Sequence, residues 1–485
     1  MGGRKPGDQV RGALVPSART PVLASRTSMS VPPAEGRDLQ SAPPGRRGQA
    51  PPGAPHYHGA MRTHPDHASP CGWNALLPAR TPRPAVSGPL RCDLAVVGAG
   101  YTGLAAARAW AERRPEDDVR VLEASTVGEG SPGRNSGFLL EIALAEDAEA
   151  GAVARMARIN ALTRETMDGL RERVRAHGID ARLVRRGTYR AAATARGAAA
   201  VDAYGRFLEA AGLEHERLDA SALAERLGAA HYRTGLWSPD CSLAQPAALI
   251  RGLADALPTA VTLHEQTPVL ELEPAAGGHR LRTPDGEVRA RRVLLANNAW
   301  AGALGTAADR LTPVYTYAAL TEPAPDRLPG SDPEWGLLPA AKLGTTLRRT
   351  DDGRLLVRSL YSYREEAAPE AVEARLRASL VRRWPELADL PFEHVWGGTT
   401  GITWNGAPVF AAPAEGVLVA AGCNGGGVVK GTLLGELLAR AALGETIPDV
   451  GELFGRADRV PPDPLRRIGF AALTALWRWQ AGAEA

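Results

Sequence analysis

The chain has 485 residues, 44% hydrophobic and 23% charged, enough for two packed cores, and no apolar run in it reaches membrane-spanning length. Its net charge of +3 is concentrated in residues 1–62, where nine Arg or Lys face three acids. The remainder is net acidic, which excludes a nucleic-acid-binding body on charge.

Residues 1–60 are rich in Pro, Gly, Arg and Ala and cannot bury enough surface to offset chain entropy. They are expected to be disordered, as a solvated arm or as an extension upstream of initiation at Met29 or Met61. No apolar core follows their basic residues, which argues against a secretory signal. Four cysteines, Cys71, Cys92, Cys241 and Cys423, lack CxxC spacing and histidine clustering, so neither a zinc site nor a disulfide framework is expected, and reduced thiols in a cytoplasm fit best.

The most informative segment is 93–123, DLAVVGAGYTGLAAARAWAERRPEDDVRVLE. Leu94–Val97 predicts a strand, Gly98, Gly100 and Gly103 a tight turn into a helix, and Glu123, twenty residues after Gly103, an acid ending the second strand. In that register Gly100 lets the backbone approach a pyrophosphate, Gly103 with Ala107 lets helix pack on strand, and the helix N-terminus faces the anion. Glu123 can then accept hydrogen bonds from ribose hydroxyls, and it disfavours a 2′-phosphate. The motif marks a dinucleotide site without separating FAD from NAD.

Next, TVGEGSPGRNSGF (126–138) reads as a loop, and Met156, Ile159, Thr163, Met167, Leu170 and Val174 recur at helical spacing until Gly178. A strand is predicted at 182–190, helices at 195–212, 220–228 and 245–256, and strands at 260–264, 269–273 and 279–291, followed by VLLANNAW at 293–300. Further strand-like runs fill 311–394. Last come Trp396–Gly401, a strand at 417–422, and Cys423-Asn424-Gly425-Gly426-Gly427 opening a helix through Leu443. This second glycine-rich helix start offers free amides and a dipole to a negative group.

Taken together, VVGAGYTGLAAA with Glu123, GEGSPGRNSGF, TGLWSPDCSLAQPAALIRGL, VLLANNAWAG and GVLVAAGCNGGGVVKGTLLGELLA resemble the D-amino-acid oxidase, glycine oxidase and gamma-glutamylputrescine oxidase superfamily over about 90–460. The resemblance implies FAD and an α/β fold. A Rossmann-type FAD-binding domain (91–178 with 235–310 and 395–450) would be interleaved with an α+β substrate domain built on an antiparallel sheet (179–234 with 311–394). A tail, 451–485, would carry a short amphipathic helix. The resemblance assigns Gly98, Ala99, Gly100, Tyr101, Thr102 and Gly103 to the pyrophosphate, Glu123 to the ribose, and Ser131, Arg134 and Asn135 to the flavin side. It places Val269 at the adenine strand, Ala296 or Asn297 at a small-residue turn, and Asn424, Gly425, Gly426, Gly427 and Val428 at the flavin pyrimidine ring. Many relatives read Ser-Gly-His-Gly there. Here the histidine is absent, and Lys430 either brings positive charge near N1 or is a solvated lysine. Relatives that attach FAD covalently use a histidine matching 128–137 or a cysteine matching 397–408; neither segment has one, so dissociable FAD is expected.

The implied reaction is oxidation of a C–N bond in an amino acid or amine, with hydride passing to flavin N5 and the imine hydrolysed. O2 would accept the electrons and leave as hydrogen peroxide, or a quinone or carrier protein would take them. A non-catalytic flavoprotein scaffold is the competing class. Relatives draw substrate contacts from the segment matching 343–363. There Arg348 and Arg349 are candidate carboxylate clamps, at most one facing inward because strand neighbours alternate, and Tyr361 and Tyr363 are a candidate aromatic wall. Trp404 and Asn405 are weaker candidates. No lysine lies in 343–363, which leaves Arg354 or Arg358 as the cation for oxygen. In the tail, Leu465, Ile468, Leu473, Leu476 and Trp477 fall roughly on one helical face, suited to docking on the body or to a membrane surface.

Overall fold

The computed structural model describes residues 62–142 and 152–485; the disorder expected for 1–60 lies outside the described residues. Strands Val261–His264, Val119–Leu122, Gly88–Val97 and Gly286–Leu295 lie side by side in parallel, and Val417–Ala421 continues the parallel set along the end of Gly286–Leu295. A meander of Glu271–Ala275 and Gly278–Arg282 joins antiparallel at that strand's start, and Val409–Ala414 closes the eight-stranded sheet. Leu94, Val96, Val119 and Val121 are fully buried, as a parallel sheet covered on both faces requires.

A second eight-stranded sheet runs Phe392–Ile402, Thr312–Thr321, Leu355–Tyr363, Thr346–Arg349, Trp335–Pro339, Thr188–Ala192, Thr234–Ser238 and Glu216–Asp219. It is antiparallel except where Trp335–Pro339 runs parallel to Thr188–Ala192. Trp335 and Trp384 stack in its core with ring centroids 6.1 Å apart, against helix Pro369–Arg383. The predicted strand at 182–190 is broken at Gly187 (φ +70°). Val184–Arg185 pairs in a small third sheet and Thr188–Ala192 in the second. Two exchanges between the large sheets also differ from the sequence boundaries. Thr234–Ser238 is a strand of the second sheet, and the division at 394/395 cuts through Phe392–Ile402, which pairs along its length with Thr312–Thr321. Cross-strand partners far apart in sequence decide sheet membership, and periodicity does not record them.

Tail helix Leu465–Ala481 corrects the one-face reading. Arg466 donates to the carbonyls of Ala308, Leu311 and Pro461, Phe470 packs on Tyr363, and Trp477 lies beneath Lys342. Leu465, Ile468, Leu476 and Trp479 remain exposed on the opposite side, so the helix carries two apolar stripes and docks by one. Among the described residues no helix is long and apolar enough to cross a membrane.

Helices Tyr101–Arg113 and Val429–Ala442 touch backbone to backbone. A Cβ on Gly435 would lie 2.1 Å from the Thr102 carbonyl oxygen, and one on Gly431 3.0 Å from Thr102 Oγ1. The Gly435→Val variant is expected to force these helices apart at a cost of about 1–3 kcal/mol. A lowered midpoint in thermal melts followed by circular dichroism checks this; an unchanged melt would show that the contact has slack.

Candidate active site

Both glycine-rich helix starts open on one cavity of about 690 Å³, walled by residues of both large sheets. The dinucleotide end is local in sequence. Gly98 adopts φ +99°, a conformation that side chains disfavour, and a Cβ on Gly103 would fall 1.8 Å from the Gly98 carbonyl oxygen. Helix Tyr101–Arg113 starts with no side-chain cap, leaving first-turn N–H groups for an anion. Glu123 accepts from the backbone N–H of Ala99 at 2.8 Å and of Ser125 at 3.1 Å. Burial pushes its carboxyl above the usual carboxylate range, those two hydrogen bonds opposing the shift. Gly98, Gly100, Thr102, Val269 and Ala296 line the cavity beside it. Ala99 and Gly103 shape the turn from behind, and the Tyr101 hydroxyl turns to the carbonyls of Pro132 and Pro246.

On the other side Ser131, Arg134, Asn135, Asn424, Gly425, Gly426, Gly427, Val428 and Lys430 also reach the cavity. Arg134 does not offer its donors freely to a diphosphate. Its guanidinium binds the carbonyls of Ser69, Glu129 and Gly397 and the Glu129 carboxylate, tying three segments together. Asn424 is likewise a staple: its side chain accepts from Thr403 N–H and donates to the carbonyls of Gly406 and Gly422. Its loop is held from below by Asn298 Oδ1, which accepts from the N–H of Gly422 and Cys423. Two residues on the wall are left wanting partners. Both amide atoms of Asn297, and Trp300 Nε1, are buried with no hydrogen-bond partner among the described residues, which fits a bound polar group at this place. Sequence pattern gave no signal for Trp300.

The substrate side departs most from expectation. Arg348 is 2% exposed and sits at the seam between the sheets, donating to the carbonyls of Ser136 and Ala244, over the Trp73 ring and 3.6 Å from Glu334. Arg349 points the other way, to the carbonyls of Pro329 and Gly330. Tyr363 donates to Asp463 and packs on Phe470. None of these three lines the cavity, and Arg354 is paired with Asp352 and Glu393. Tyr361 does line it, together with Arg358. Between them Leu360 adopts φ +63° and is skipped in the pairing, so that Arg358 stands opposite Ala318 and Tyr361 opposite Thr316. This β-bulge puts residues three apart on one face, where Arg358 Nη1 donates to the Tyr361 hydroxyl at 2.8 Å. Asn405 lines the cavity while donating to the Arg456 carbonyl, and Trp404 is 65% exposed. The sequence reading also missed Thr63, His64 and Pro65, a strap ahead of the first strand, and Lys342 with Trp477 at the C-terminal end.

A glycine turn feeding an uncapped helix, an acid at the next strand end and a second sheet walling the same cavity define a dinucleotide-dependent oxidoreductase. Residues 93–441 match the model of the FAD dependent oxidoreductase family (DAO), and the chain belongs to that family. Its cofactor is therefore FAD, and the orphaned polar atoms and uncapped helix starts described above suit that group. The chain is 28% identical to a probable oxidoreductase, OrdL, of Rhizobium meliloti (strain 1021), covering 77% of this chain and 88% of that one. It is also 28% identical to gamma-glutamylputrescine oxidoreductase of Escherichia coli (strain K12), covering 80% and 92%. The crystal structure of glycine oxidase from Geobacillus kaustophilus superposes with a TM-score of 0.65 at 24% identity, over 77% of this chain and all of that one.

If Glu123 holds the ribose as the resemblance implies, its ionised form would accept the hydroxyls better than its protonated form, and burial holds its carboxyl above the ordinary range. FAD affinity is therefore expected to fall as pH drops through that raised value, and Glu123→Gln to flatten the dependence while weakening binding about tenfold or more. Titration of the FAD-free protein by flavin fluorescence across pH checks both, and a pH-independent wild-type affinity would remove the role given to the carboxylate.

Proposed function

We propose that this enzyme oxidises the C–N bond of an amino acid or amine bearing a carboxylate, and that it acts as an oxidase. Bound FAD would supply the two-electron acceptor for a hydride equivalent from the amine's α-carbon; the imine would hydrolyse to a carbonyl compound, and the electron pair would leave on O2 as hydrogen peroxide. The observation that carries this reading is the Arg358–Tyr361 pair. The bulge at Leu360 turns both toward the cavity, and a guanidinium fork matches a carboxylate in two hydrogen bonds. Tyr361 steadies the fork through its hydroxyl and through its ring, whose centroid lies 5.0 Å from Arg358 Cζ.

Arg358 and Lys430 both face the cavity, and positive charge there favours electron transfer to O2, since the first reduced oxygen species is an anion. This supports oxidase over dehydrogenase although no lysine lies in 343–363. The chain's similarity to a glycine oxidase and a gamma-glutamylputrescine oxidoreductase supports an amino acid or amine as substrate. FAD held without a covalent bond completes the proposal, because neither 128–137 nor 397–408 contains His or Cys.

Flavin absorbance followed under nitrogen while amino acids, N-methyl amino acids and polyamine conjugates are added tests the reading. Bleaching, recovery in air and stoichiometric peroxide are expected; bleaching without recovery in air would make the enzyme a dehydrogenase. Arg358→Ala should keep its yellow colour and raise KM for a carboxylate-bearing substrate about 10- to 100-fold. Arg348→Ala should instead lower the melting temperature, as it strips a buried seam of its donor.

A further inference from the structure

The cavity wall carries more positive charge than a dinucleotide accounts for. Among the described residues Glu123 is the only carboxylate on it, whereas Arg190, Lys342, Arg358 and Lys430 face it without an acidic partner. Arg190 donates to the Pro339 carbonyl and lies over Tyr204; Arg358 is engaged by Tyr361. Lys342, exposed at the rim, has among the described residues only the Trp477 ring, whose centroid is 5.2 Å from Nζ.

Lys342 is placed by a built scaffold. Glu484, 2% exposed, accepts from the Thr194 hydroxyl at 2.8 Å and from the N–H of Ala341 at 2.9 Å. Its backbone carbonyl accepts from the N–H of Thr345 at 2.8 Å and from Arg383 at 3.0 Å. These bonds fasten the 340–345 loop and the end of the tail helix to each other, fixing Lys342 against Trp477. Trp477 and Glu484 both lie beyond the residues that match the family model.

The distance from this corner to Arg358 is bounded by the chain. Thr346, also on the wall, is the cross-strand partner of Arg358. Lys342 precedes it by four residues, which span at most about 14 Å; adding a cross-strand Cα separation of up to about 5.5 Å leaves the two Cα atoms no more than about 20 Å apart. Resting on the amine oxidation above, we propose that the substrate carries a second anionic group at its far end, received by Lys342 with Trp477 while Arg358 holds the first carboxylate. A dicarboxylic amino acid, or an N-alkyl derivative of one that keeps both carboxylates, has that chemistry.

The test uses the FAD-loaded full chain and two steps. First, glutarate and its uncharged-end analogue, glutarate monoamide, are titrated against flavin absorbance in wild type, Lys342→Gln, Lys342→Glu and Trp477→Ala. Glutarate is expected to bind wild type about two- to fivefold more tightly than the monoamide. Lys342→Gln should abolish that preference, Lys342→Glu should reverse it and Trp477→Ala should weaken it, with monoamide affinity unchanged in the two Lys342 variants. Second, glutamate and glutamine of both hands are compared as anaerobic reductants. Flavin bleached by neutral amino acids, with equal glutarate and monoamide affinities or a ratio unmoved in Lys342→Glu, overturns this inference alone. Flavin bleached by no amine overturns the oxidation reading and this inference with it.

Discussion

The site depends on a contact between two helices that begin more than three hundred residues apart. Val429–Ala442 lies so close to Tyr101–Arg113 that Gly431 and Gly435 meet Thr102 without room for a side chain. Each helix starts after a glycine-rich turn and without a side-chain cap, so the contact brings two bare N-termini to one cavity. A pyrophosphate and the negative edge of a reduced flavin each need such an end. Were either glycine larger, the two ends would separate and the cavity would bind only half of its cofactor well.

The dinucleotide half was legible in the sequence because its geometry is written in consecutive residues. Gly98, Gly103 and Glu123 act through a single strand–turn–helix–strand unit, and their spacing is itself the constraint. The Asn424 loop was legible for a similar reason, although its side chain staples the turn and leaves the backbone to face the ligand. Gly435 had a weaker signal, two glycines one helical turn apart, whose partner helix could not be named from the pattern.

The substrate half was hidden by two effects that no local pattern records. Alternation along 343–363 suggested Arg348 or Arg349 and paired Tyr361 with Tyr363, but the extra residue at Leu360 resets the alternation. Arg358 thereby joins Tyr361 on the cavity face. Tyr363 keeps Tyr361's face but stands beyond the cavity, against Phe470 of the tail helix. The second effect is competition. Arg348 shares a face with Thr346, yet one pair further along the strand it meets the carbonyls of Ser136 and Ala244 before it meets open space. Which of several arginines serves a ligand is decided by the acceptors that the fold leaves beside each, and these come from other segments.

That competition also separates structural arginines from functional ones throughout this chain. A guanidinium has five donors, and burying it is tolerable only when acceptors surround it. Arg134 is surrounded by carbonyls of the protein itself, and Arg348 is held through Nη1 by two carbonyls with Glu334 3.6 Å away, so both hold segments together away from a ligand, although Arg348 Nε finds no acceptor among the described residues. Arg358 is partly buried yet engages one phenol, and Lys342 faces an aromatic ring that accepts no conventional hydrogen bond. Their remaining donors are satisfied by water until something with carboxylate oxygens displaces it. Among the described residues of the wall Glu123 is the single carboxylate, so that deferred satisfaction biases the cavity toward anions.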